Sequence, residues 1–107
     1  MSGVKEVFFC NFEKALAAMK DGRRVTRNDW NYGSKSSHTP FVSLCPGVGT
    51  LASDKFWNPH NRKFAESIGG ARVSPYFSEV NCLGSVSMGW VPTAADILAE
   101  DWLILAD

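Results

Sequence analysis

With 107 residues, 45% hydrophobic and 21% charged, the chain has the size and composition of one globular domain, and wholesale disorder is excluded. Eleven Lys+Arg balance eleven Asp+Glu, which counts against a polybasic nucleic-acid binder whose affinity comes from phosphate neutralisation. No apolar run approaches the roughly 18–20 residues that span a bilayer; Val7-Phe8-Phe9-Cys10 and Leu103-Ile104-Leu105-Ala106 are among the longest.

In chain order, the first residues lack a basic stretch followed by an apolar one, so a cytosolic protein is expected. Phe12, Ala15, Leu16 and Met19 then fall on one face of a 3.6-residue period and predict a helix of about ten residues. Asn11 suits its N-cap, Glu13 its first turn, Lys20 its last turn and Gly22 its end. Arg23 to Arg27 reads as a strand, and Asn28 to Thr39 as a polar loop with a Ser-rich centre. Phe41 to Cys45 reads as a strand closed by the Pro46-Gly47 turn. Residues 48–73 read as an elaborated connection between sheet strands, with a short helical piece around 62–68. Ser74–Leu83 and Ser85–Val91 form a hairpin about Gly84. Thr93-x-x-Asp96 has the form of a capping box and predicts a short helix over 94–99. Asp101 to Leu105 reads as a last strand, apolar enough to be central or covered on both faces. The order predicts a single α+β domain over 1–107: an antiparallel sheet, one amphipathic N-terminal helix packed on it, and a short helix before the final strand.

Catalytic patterns are scarce. Cys10, Cys45 and Cys82 are odd in number and widely spaced, which fits reduced thiols better than a disulfide framework or a zinc site. His38 and His60 belong to no metal or triad pattern, and the glycines extend to no phosphate loop. No metal, cofactor or enzymatic turnover is expected.

The aromatics say more. Of four tryptophans, Trp102 lies in the apolar terminal strand and reads as core. Trp30 stands at the mouth of the polar loop beside Asn28, Asp29 and Asn31, and Trp90 stands immediately before the capped helix. A ring beside polar side chains and a helix start suits a nucleotide, whose base stacks while its hydroxyls and phosphates meet Asn, Asp, Arg or backbone N–H. Loop tryptophans also anchor protein interfaces. Charge is unevenly spread: residues 1–72 hold all eleven bases and six acids, whereas 73–107 hold five acids and no base. The two parts either pack together in one fold or meet between identical subunits.

Two stretches resemble one known family. Asn11-Phe12 to Ala15-Leu16, with Gly22 through Val25, Arg27, Trp30 and Asn31, follows an opening of the form N-F-x-x-A-L then K-x-G-K-x-V-x-R-x-x-W-N. Trp90 through Asp96, Leu98, Ala99, Asp101 and Trp102 follows the ending W-x-x-x-x-x-D-x-L-A-x-D-W. The pattern is similar to that of the second type of Thoeris anti-defence protein, found in phages and prophages; residues 48–73 depart from it. The resemblance implies a sponge rather than an enzyme. Such proteins hold, unmodified, a cyclic ADP-ribose-type signal made by a TIR-domain enzyme in the host cytoplasm, some relatives hold cyclic oligonucleotides in a separate site, and they assemble as homotetramers with pockets between subunits. Carried over by position, the resemblance implies Trp30 and Trp90 as the aromatic platform. Asn31, Thr93 and Asp96 would be its polar neighbours and Arg27 the phosphate partner, with neither nucleic-acid polymer nor membrane as a partner. A hydrolase of the same signal and a module binding a host protein are the rival readings.

Overall fold

The computed structural model describes residues 8–30 and 39–106. Most of the loop expected between Asn28 and Thr39, Asn31 and His38 included, lies outside the described residues. Helix α1 (Phe12–Lys20) forms as the apolar period predicts, and Asn11 caps it by accepting the Lys14 backbone N–H on Oδ1 at 3.0 Å. Gly22, at a φ of 86°, turns the chain out of the helix, and the Arg23 N–H reaches back to the Ala18 carbonyl at 3.0 Å.

Five strands make an antiparallel sheet: β1 (Val25–Arg27), β2 (Phe41–Cys45), β5 (Tyr76–Val80), β6 (Val86–Trp90) and β7 (Trp102–Ile104). Their order is β6-β5-β2-β1-β7. The short helix α3 (Ala94–Leu98) precedes β7, so the architecture is the predicted α+β. One expectation is corrected. The final strand is neither central nor covered on both faces: β7 ends the sheet order, and Ile104 is 41% exposed. Its outer side is partly satisfied by Cys10, which exchanges N–H···O bonds of 2.9 and 3.0 Å with Trp102. That bridge spares an apolar terminal strand an open edge at its most buried residue.

The core gathers Ala15, Ala18 and Met19 of α1 with Val25, Val42 and Trp102 of the sheet. Met19, Val25 and Val42 are fully buried, each contributing about 1.5–3 kcal/mol by removal from water. Trp102 is also fully buried, and its indole N–H donates to the Asp96 carbonyl at 2.8 Å. A buried indole needs such a partner, and here the bond ties α3 to the core.

The described residues fall into two compact units, and Cys45–Tyr76 form the second. Between β2 and β5 this segment carries elements of its own. β3 (Val48–Leu51) pairs with β4 (Ala71–Val73) in a sheet of their own, and α2 (Pro59–Ile68) runs between them in sequence. The helix starts three residues before the predicted piece because Asn58 Oδ1 accepts the His60 and Asn61 N–H groups at 2.9 and 3.2 Å. Pro59 then occupies the first turn, where its missing N–H costs nothing.

Candidate functional site

The predicted site residues converge on two linked features of the first unit, an aromatic ladder and a polar frame. Trp30 ends a 3-10 turn (Asn28–Trp30) directly after β1, and Trp90 ends β6. Their ring centroids lie 6.0 Å apart at an interplanar angle of 79°. Trp30 also meets Trp102 edge-on at 5.2 Å, and Trp90 meets Phe77 edge-on at 6.0 Å. Edge-to-face pairs of this kind add about 0.5–1.5 kcal/mol beyond burial. Both indoles are half-buried, so each keeps surface that a ligand can reach. Near-perpendicular rings leave no parallel slot between them. A planar base would stack on one indole and abut the other.

A β-bulge aims Trp90. Phe77 pairs with Trp90 and Ser78 with Met88, which leaves Gly89 as the extra residue of β6, at a φ of 99°. Strict alternation would place Trp90 on the same face as the exposed Val86 and Met88. The inserted residue instead returns the ring to the Phe77 side of the sheet, where Trp30 is waiting.

The polar frame begins at Arg27, the last residue of β1. Its Nε donates to Asp101 Oδ1 at 2.9 Å and its Nη1 to Asp96 Oδ1 at 3.0 Å. Asp96 completes the capping box: its Oδ2 accepts the Thr93 N–H and hydroxyl, each at 2.9 Å, while Thr93 Oγ1 accepts the Asp96 N–H at 3.1 Å. Asp101 Oδ2 accepts the Asp29 N–H at 2.9 Å, and the Asp101 carbonyl accepts the Asn28 N–H at 3.0 Å. One chain of bonds therefore runs from the start of α3, just after Trp90, through Arg27 to the turn that carries Trp30. The frame fixes both ring-bearing segments.

Of the six residues singled out in the sequence, five are brought together and Asn31 lies outside the described residues. Within this chain the Arg27 guanidinium faces two carboxylates, so a phosphate could reach it only by sharing. Burial works against the charged form of Arg27, but hydrogen bonds to Asp101 and Asp96 and their negative charge outweigh it and raise the pKa above its ordinary value. Burial likewise pushes the Asp101 carboxyl upward, and the Arg27 bond, the Asp29 N–H and the Arg27 charge reverse that and hold it below the usual range. Asp101 and Phe77 are the residues that sequence reasoning missed. Asp101 was visible in the D-x-L-A-x-D-W ending, but only the pairing of Arg27 with Trp102 across β1 and β7 places its carboxylate beside the guanidinium.

An acid dependence follows. A carboxylate whose folded pKa is depressed stabilises the fold above its unfolded value near 4, and the effect fades as pH falls through the folded pKa. The urea midpoint is therefore expected to hold between pH 7 and 5 and to fall below about pH 4. Asp101→Asn should start lower and lose less on acidification. Identical acid profiles for the two proteins would remove Asp101 from the frame.

Beside Trp30 lies a hollow of about 200 Å3 lined also by Pro40, Glu79, Asn81 and Cys82. Larger hollows, of about 360 and 350 Å3, lie within Cys45–Tyr76 and share Arg72 and Val73. One is lined by residues 46–49 and Pro75 and the other by Phe56, Asn61 and Phe64, with no indole in either lining. Burial raises the Cys10 thiol against a smaller opposing effect of Lys14, and Cys10, Cys45 and Cys82 are all half-buried. Among the described residues no three His, Cys, Asp or Glu side chains converge as a metal site, and no helix is long and apolar enough to cross a membrane.

The first unit is a small α+β fold that presents two half-buried indoles on a hydrogen-bonded polar frame. The family model Tad2-like, the Thoeris anti-defense 2-like domain, matches residues 10–105, and the chain belongs to that family. Its role is accordingly anti-defence, directed at the Thoeris system. No curated protein matches the chain.

Proposed function

We propose that this protein is a signal sponge: it binds a cyclic ADP-ribose-type nucleotide made by a TIR-domain enzyme and holds it unmodified in the host cytoplasm. Some cyclic oligonucleotides are a second class of ligand for the same protein. The observation that carries the reading is the Trp30–Trp90 pair, half-buried and braced at both ends by the Arg27 frame. A purine stacks on an indole face, and ribose hydroxyls find acceptors in the remaining lone pairs of the exposed Thr93 hydroxyl and of the Asp96 carboxylate behind it. The hollow beside Trp30, about 200 Å3, is smaller than the roughly 300–1,000 Å3 of ligand pockets. A seam between copies supplies the rest, which supports a homo-oligomer, a tetramer in this reading.

Holding is favoured over hydrolysis by the state of the acids. Asp101 is kept ionised by Arg27 and a backbone N–H, and Asp96 is engaged by Thr93 and Arg27. A general acid or base needs a pKa near working pH and a free proton site, and a carboxyl held below its usual range is the opposite. The test is release. Protein loaded with a cyclic ADP-ribose isomer, washed and heat-denatured, is expected to return that isomer intact by mass and retention; a linear or cleaved product would establish the hydrolase instead.

A further inference from the structure

Strand β6 ends the sheet order on the side opposite β7, and among the described residues no strand lies along its outer side. None of its five residues is charged, and Val86 and Met88 are 58% and 56% exposed. Its ladder with β5 shows which backbone groups are free. The Asn81 N–H donates to the Ser85 carbonyl at 3.0 Å, so these two form a hydrogen-bonded pair. Alternation makes Val80–Val86 and Ser78–Met88 the non-hydrogen-bonded pairs, with Glu79–Ser87 bonded between them. Val86 and Met88 therefore turn their N–H and C=O groups away from β5, toward the open edge. Native edges are blunted by lysine, proline, an inward charge or a bulge. Here residues 73–107 contain no Lys or Arg, and the bulge at Gly89 lies beyond both residues.

We infer that β6 pairs antiparallel with β6 of a second copy, about a two-fold axis through Ser87. In that register Val86 opposes the partner's Met88 and exchanges both N–H···O bonds with it, and symmetry repeats the pair. The exposed Val86 and Met88 side chains of both copies then cover one another on one face of a continuous sheet. Charge permits self-pairing. β6 carries none, and Glu79 on the adjoining strand sits three strand spacings from its mate, about 14 Å, beyond the ~8 Å screening length. Leu83 and Val91, exposed at 86% and 75%, extend the apolar patch at the two ends of the strand. The pairing brings the partner's Leu83 turn to the Trp90 end of β6, so the seam borders the candidate site. This gives an interface to the proposed homo-oligomer and rests on that reading only in expecting copies to associate.

Register decides it. Across the axis the two Ser87 residues form a non-hydrogen-bonded pair, with Cα atoms about 4.5 Å apart, inside the disulfide range. The two Ser85 residues would be four positions out of register, about 13 Å apart. Both serines are exposed, so either tolerates a thiol. Under mild oxidation, full-length Ser87→Cys is expected to convert mostly to a covalent dimer that reductant reverses. Ser85→Cys and the parent protein, with its own three thiols, should remain uncrosslinked. No more dimer from Ser87→Cys than from those two controls would overturn the pairing. A nucleotide titration on the same samples keeps the issues apart: ligand binding without the crosslink rejects the β6 seam and leaves the sponge, and a crosslink without binding does the reverse.

Discussion

Trp90→Ala is expected to weaken capture of the cyclic nucleotide by about five- to 150-fold, the equivalent of the ~1–3 kcal/mol lost per stacked base. The fold should survive, because Trp90 is half-buried and gives up two edge-on contacts, to Trp30 and Phe77, rather than a place in the buried cluster. Trp90→Phe keeps a ring at the end of β6 and should recover most of the loss. Trp30→Ala should weaken binding by a similar factor and lower stability more, since Trp30 also covers Trp102 at 5.2 Å. Equilibrium titration of the variants against the parent protein reads the first effect and thermal melting the second. Unaltered capture in both alanine variants would end the stacking account.

The second large effect is expected at Asp96. Alanine there removes the capping-box carboxylate that accepts the Thr93 N–H, worth about 1 kcal/mol, and a charged hydrogen bond to Arg27, worth about 1.5–3 kcal/mol. The side chain is only 9% exposed, so water replaces little of either. A melting point about 10–20 °C lower is expected for a chain of this size. Affinity measured well below both melting points should also fall more than tenfold, with the oligomer retained, because Asp96 links α3 to the turn that holds Trp30. If stability drops and affinity does not, Asp96 is a helix cap alone and the frame does not serve the site.

Local chemistry made much of this fold legible. The 3.6-residue period over Phe12–Met19, the Asn11 cap and the Thr93–Asp96 box each act over a few residues, and each appears in the structure where the sequence places it. Phe41–Cys45 likewise runs over the predicted residues. What escaped depends on contacts between distant segments. The edge position of β7 could not be read from Trp102-Leu103-Ile104, because apolar strands look alike whether a neighbour or a single Cys10 bridge covers them. The helix over Pro59–Ile68 has a polar, weakly patterned sequence, and its Asn58-Pro59 start resembles a turn until the carbonyl of Asn58 is seen to accept from Arg62. At the site, both indoles were legible from their settings, yet their mutual approach was not. It depends on the extra residue at Gly89, which reverses the side to which Trp90 turns, and on Asp101, whose partner Arg27 is 74 residues away in sequence.

The most direct measurement is a calorimetric titration of the parent protein with individual cyclic ADP-ribose isomers, followed by recovery of the ligand. A sponge that must outcompete a receptor is expected to bind one isomer at nanomolar strength, about −12 kcal/mol, at a fixed fraction per subunit, and to give it back unchanged. Saturating amounts of every isomer producing neither heat nor a shift in melting temperature would contradict the account.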